Sequence, residues 1–148
     1  MIRLVLIFLF SSVVTFLVSA QPAITADSPA ESIKLIRYND QGYRAYMLRG
    51  TKGFYVDKTH VDVSDMTLTM FTGQKDNAVD TILLSPFARA TRDDKQLTVH
   101  GDSAVRVIRA NDFEVTGEQW TYDQSENKIR INKSVHVVIH TELKGILK

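Results

Sequence analysis

Four histidines, one Gly-Asp-Ser triplet and a scatter of carboxylates are the residues in this sequence whose types could do chemistry. His136 and His140 lie four apart, so in a strand they share a face yet stand about 13 Å apart, too far to hold one metal ion. They also alternate against Val135, Val137 and Ile139, which puts them on a polar face. All four histidines therefore read as solvated strand residues, with a cross-strand metal site through His60 or His100 as the alternative. Gly101-Asp102-Ser103 has the composition of an esterase nucleophile block. That chemistry needs the serine exposed on a strand-to-helix turn beside an oxyanion hole, whereas residues 97–101 and 104–110 on either side read as strands. The triplet then reads as a tight turn. Asp62, Asp65, Asp93, Asp94, Glu114, Glu118 and Asp123 fall in turns or on the outward side of alternation, and glycosidase chemistry would need two of them facing across a cleft. No G-x-S-x-G, P-loop or G-x-G-x-x-G occurs. The chain also lacks cysteine, hence any disulfide, thiolate nucleophile, cysteine-ligated zinc or lipidated cysteine.

The elements that must position these residues are strands. Apolar side chains alternate with polar ones in short runs: Val61 and Val63; Met66, Leu68 and Met70; Leu97 and Val99; Val105 and Val107; Phe113 and Val115; Trp120 and Tyr122; Ile129 and Ile131; Val135, Val137 and Ile139. Period-two runs broken by Gly, Asp, Asn and Ser predict half-buried antiparallel strands and an all-β fold, and no comparable stretch keeps a helical period. Turns are expected at residues 39–42, 93–95 and 123–127, where Asn, Asp and Ser can bond their own backbone. Pro86 is expected at a strand edge or break. The runs repeat: Met47, Val61, Val63, Leu68 and Met70 precede Leu84, Leu97, Val99, Val105 and Val107 by 36 or 37 residues, and these precede Val115, Ile129, Ile131, Val135 and Val137 by 30 to 32. The unit reads strand, strand, turn, strand, turn, strand, recurring about three times. Such a stack leaves sheet edges at both ends, open to an added strand.

Ahead of this domain, Arg3 and the apolar run Leu4–Val18 read as a secretory signal with Val18-Ser19-Ala20 as its cleavage site. The alternative is a retained membrane anchor, and either places the rest outside the cytoplasm. Residues 21–32 read as a polar linker, in which Ser28-Pro29-Ala30-Glu31 has the form of a capping box opening a short helix. The domain is read as residues 33–148. Removing 20 of 148 residues leaves 128, enough for one domain with its own core. Without Arg3 the chain has 17 basic and 17 acidic residues, which argues against nucleic acid as a partner.

What remains is the apolar face. It is either a closed core or an open groove that holds lipid tails, with methionines giving adaptable contacts. In the groove reading Leu68, Met70, Leu97, Val99, Val107, Val115, Trp120, Ile131 and Val137 line it, and a charge placed at Val99 or Ile131 separates the two readings. A structural adaptor of the envelope with a closed core is the second reading. An exported hydrolase around Ser103 is the third.

The chain resembles the periplasmic lipopolysaccharide-transport family, the LptC-like branch first and the LptA or OstA-type proteins second. The resemblance rests on Leu97-Thr-Val-His-Gly101, Val105-Arg-Val107, Phe113-Glu-Val-Thr-Gly-Glu-Gln-Trp-Thr-Tyr-Asp123, Lys128-Ile-Arg-Ile131 and Val135-His-Val137, with Ser85-Pro86-Phe87-Ala88 before them. It covers residues 43–147. It implies a twisted, open β-jellyroll at the periplasmic face of the inner membrane that receives lipopolysaccharide from an ABC transporter. The lipid then passes to an LptA-like bridge protein joined by edge-strand pairing. No bond is made or broken, and no cofactor is implied. The cleavable-looking start is closer to the LptA type.

Overall fold

The computed structural model describes residues 29–93, 96–110 and 112–140, so the signal or anchor segment and residues 141–148 lie outside the described residues. Eight strands form one antiparallel sheet: β1 (Pro29–Tyr38), β2 (Arg44–Tyr55), β3 (His60–Phe71), β4 (Val79–Arg92), β5 (Leu97–Gly101), β6 (Val105–Arg109), β7 (Phe113–Asp123) and β8 (Lys128–Ile139). β1 to β4 pair in sequence. β5 and β6 then share one lane between β4 and β7, and β8 closes the sheet on the far side of β7. The all-β expectation holds, and no helix occurs among the described residues.

Two expected turns form as their side chains dictate. Asn39 Oδ1 accepts from the amides of Gln41 at 3.1 Å and Tyr43 at 2.9 Å, and Gly42 takes φ 82°. Asp123 Oδ1 accepts from the amides of Ser125 at 2.8 Å and Glu126 at 3.3 Å. The third turn is described only at Asp93, since 94 and 95 lie outside the described residues. Two expectations change. The segment read as linker already pairs with β2 from Pro29, so Pro29, Ala30 and Glu31 of the expected capping box are strand, while Ser28 lies outside the described residues. An unpaired sheet edge is available to this stretch, and a proline at the first residue of an edge strand forfeits no ladder bond.

The repeat is also simpler than it reads. Val61 and Val63 belong to the same strand as Met66, Leu68 and Met70, and the step between them is no turn. It is a kink at Asp65, whose φ is 48°, and it reverses which residues face inward. Ser32 in β1, Gln119 in β7 and Ser134 in β8 take φ 61°, 54° and 53° inside their strands in the same way. In β2 the inward set passes from Tyr46, Leu48 and Gly50 to Gly53, and in β4 from Thr81, Leu83 and Ser85 to Ala88 and Ala90 across Pro86. The β5–β6 lane makes the step through Asp102 and Ser103. Pro86 therefore sits at a break, where β4 leaves β6 and meets β5.

All these reversals align into one crease running across the strands. Because β1 to β4 each insert their extra residue opposite the neighbour's, pairing resumes on the far side in unchanged register, as with Ser64 opposite Phe87 and Met66 opposite Ser85. Leu68 and Leu83 on one side of the crease and Val63 and Val99 on the other are all 0 % exposed. A single sheet can cover its own apolar face only by folding over, so the two half-sheets meet inner face to inner face, as in sheet-on-sheet packing.

Small residues let the crease close. A Cβ on Gly101 would stand 2.7 Å from Trp120 Nε1 and 2.9 Å from the Phe87 carbonyl oxygen, and one on Gly117 would run into Ile131. The buried Ser85 hydroxyl lies 2.9 Å from the carbonyl oxygens of both Phe87 and Ala104, and its single proton ties either strand end across the break. Gly101→Ala is expected to lower unfolding free energy by about 1–3 kcal/mol through overpacking, read as a shift of the denaturant midpoint.

Candidate functional site

The inner face is closed over most of its area and open at the end formed by β6, β7 and β8. There Met70, Thr81, Val107, Phe113 and Val115 on one half-sheet face Tyr122, Ile129 and Ile131 on the other, around a cleft of about 390 Å³ that Val135 also lines. This lies within the usual range for small-molecule sites. Phe113 and Val115 continue from it into an almost wholly apolar hollow with Val137 and Ile139. β8 is the last strand of the sheet, and past its kink at Ser134 its inner side is left largely uncovered. Val135, Val137 and Ile139 are 53 %, 51 % and 59 % exposed. A larger furrow follows the crease past Asp65, Pro86, Arg106 and Glu118; it borders kinked backbone, whereas the smaller cleft is continuous with the core.

Polar groups gather at the rim. Asp80 and Arg109, 3.8 Å apart, stand with Asn127 and the two phenols Tyr46 and Tyr122. Burial pushes the Tyr122 hydroxyl up to about 12, helped by the neighbouring Tyr46 and by Asp123. Burial likewise raises Tyr46, against the pull of Arg37 and Arg92. Both phenols are therefore neutral donors at physiological pH, placed where an apolar pocket meets water.

The nine residues expected along a groove divide between the cleft and the packed core. Met70, Val107, Val115 and Ile131 line the cleft, and Val137 lines the hollow beside it. Leu68, Leu97, Val99 and Trp120 are at most 1 % exposed, enclosed in the packed core. A charge at Val99 would thus disrupt folding under any reading, and Ile131 alone remains diagnostic. Phe113, Tyr122, Ile129 and Val135 join the site; they belong to the same apolar runs and stand out only once the open end of the sheet is located. The Trp120 indole N–H has no hydrogen-bond partner among the described residues.

The residues weighed for other chemistry lie elsewhere. His60 Nδ1 is 2.7 Å from Asp57 Oδ2. The Thr59 amide first, then His60 and the Thr59 hydroxyl, hold the Asp57 carboxyl well below the usual carboxylate range. Among the described residues no group of three or more His, Asp and Glu gathers around one point. Ser103 Oγ donates to the Phe87 carbonyl at 3.2 Å and lies 3.4 Å from Ser85 Oγ. Asp62 pairs with Arg89 at 2.6 and 2.8 Å, and Glu114 with Arg106 at 2.7 and 2.9 Å. Asp94 falls outside the described residues.

No protein-family model matches the chain, and no curated protein matches it. No helix among the described residues is long and apolar enough to cross a membrane.

Because folding raises the pKa of the Tyr122 phenol, its contribution to stability is intact below pH 10 and is lost as pH rises toward 12. Denaturant titrations should show the wild-type midpoint falling across that window, and Tyr122→Phe should flatten the fall.

Proposed function

We propose that the domain is a lipid carrier that receives acyl chains in the cleft between its half-sheets. The observation that carries this reading is the row Val135, Val137 and Ile139, more than half exposed on the face that is core everywhere else. Contiguous exposed apolar surface beside a groove marks a binding site. Shielding is worth about 0.8 kcal/mol per buried CH₂, so even one acyl chain lying along β7 and β8 gains several kcal/mol over water. The neutral phenols and the Asp80–Arg109 pair at the rim suit the junction between acyl chain and polar headgroup.

The lipid we assign is lipopolysaccharide, and the role is that of an LptC-like periplasmic component of an export bridge to the outer membrane. In this role the inner-membrane ABC transporter supplies the lipid and its energy. An LptA-like protein accepts it by adding a strand to an exposed sheet edge. β1 and β8 are those edges, and the folded-over sheet is compatible with an open β-jellyroll. The resemblance in residues 97–137 supports this assignment. A second reading, an envelope adaptor that binds only proteins, draws on the closed core around Leu68, Leu97, Val99 and Trp120.

Photoreactive residues in place of Val115, Ile131 or Val137, with Arg106 as the outward control, should label lipopolysaccharide at the first three positions in cells that make it. Ile131→Arg should fold yet lose at least about tenfold in lipid adduct, the equivalent of about 1.4 kcal/mol. Folded protein with no adduct at any inner position would leave the adaptor reading.

A further inference from the structure

Among the described residues, the two phenols at the mouth of the cleft are donors without an acceptor. Tyr46 on β2 and Tyr122 on β7 belong to opposite half-sheets, and each is 3 % exposed. Both line a hollow of about 470 Å³, and Tyr122 lines the apolar cleft as well, so the two spaces meet at its ring. Neither hydroxyl makes a hydrogen bond among the described residues, where the Trp120 indole N–H is the one side-chain group that lacks both a partner and access to solvent. The Tyr46 and Tyr122 hydroxyls therefore open on the space they line.

The acceptors around them are already engaged. Asn39 Oδ1 takes the Gln41 and Tyr43 amides, and Gln124 Oε1 takes the Leu97 amide at 3.0 Å. Asp80 Oδ2 takes the Thr81 hydroxyl at 2.8 Å, and its other oxygen faces Arg109 at 3.8 Å. Among the described residues lining the hollow, Asp80 and Arg109 alone carry charge, and their charges cancel. Asn127 offers a donor and an acceptor together.

What is left over is two neutral donors, one from each half-sheet, where an apolar wall gives way to polar groups. An uncharged oxygen that only accepts meets that need. A carbonyl has two lone pairs and can take both phenols at once. In a lipid, the first such atom after an apolar chain is the carbonyl of its ester or amide linkage. An ether oxygen in that place is a poorer acceptor and leaves the donors wanting.

We infer that Tyr46 and Tyr122 together bind the linkage carbonyl of an acyl chain whose tail runs on past Val115 and Ile131, so the ligand is an ester- or amide-linked acyl lipid. The inference rests on the carrier reading of the cleft and adds what the ligand must contain. Arg37 and Arg92 lie near enough to Tyr46 to pull on its hydroxyl, so a free carboxylate is the rival group.

The full chain would be titrated calorimetrically, below the micelle concentrations, with three probes of equal chain length: myristoyl lysophosphatidylcholine, its ether-linked counterpart, and myristate. The acyl form should bind about tenfold more tightly than the ether, as expected of two hydrogen bonds. Tyr46→Phe with Tyr122→Phe keeps both rings and should bring the acyl form down to the affinity of the ether. Each single change should lose about threefold, so the result does not hang on the double variant. The ester carbonyl stretch of the bound acyl probe should lie at lower frequency in the wild type than in either single variant. Equal affinity of the wild type for the acyl and ether probes would overturn the proposal and leave the carrier reading standing. Tighter binding of myristate than of the ester would make the group a carboxylate and overturn it too. So would loss of the acyl and ether probes alike in the double variant, which would mean that the hydroxyls only shape the cleft. Failure of the wild type to bind any probe would sink the carrier reading itself, and this inference with it.

Discussion

The structure depends on a reversal of side-chain alternation made at the same level in every lane of the sheet. A strand has a period of two, so without the kink at Asp65 either Val61 and Val63 or Met66, Leu68 and Met70 would face water, at about 1.5–3 kcal/mol for each side chain. Holding a non-glycine residue in the left-handed region costs about 1–2 kcal/mol. For β3 the exchange is favourable with a wide margin, and Asp65 gains further from the Thr51 hydroxyl at 2.8 Å. The same reversal in the neighbouring lanes keeps the ladders in register, so the crease is a property of the sheet and no one strand could adopt it alone.

The crease also decides where the molecule is closed and where it is open. Central lanes fold onto one another and exclude water from Val63, Leu68, Leu83 and Val99. The last lane has a neighbour on one side only, and β8 carries one residue more than β7 across the crease, seen as a register shift between Thr116 and Glu118. Its inward side chains past that point are left exposed. Core and cleft are thus one apolar surface with different cover.

Much of this was legible in the residues. Alternation gave the strands, and Asn39 and Asp123 gave their turns, because each effect acts within a few residues. The change of phase between Val63 and Met66 was equally visible, but a break in alternation has two causes, a turn or a kink within a strand, and only pairing with neighbours tells them apart. The strand at Pro29–Ser32 was hidden for a related reason: small polar residues carry no pattern, and pairing with β2 supplies what they lack. For the site, Val107, Val115 and Ile131 could be chosen by alternation. Separating them from Leu97 and Val99 requires knowing which end of the folded sheet is left open, since burial here is set by place in the sheet and hardly at all by residue type.

One feature of the crease gives the molecule its own optical signal. Trp120 is the only tryptophan in the chain, and it lies against Gly101 at the fold line, 1 % exposed, with an indole N–H that no protein group accepts among the described residues. An indole held so far from water and acceptors emits at short wavelength, and hydration of its N–H moves the emission to the red. The colour of this single fluorophore therefore reports, without a label, whether water has reached the fold line between the two half-sheets.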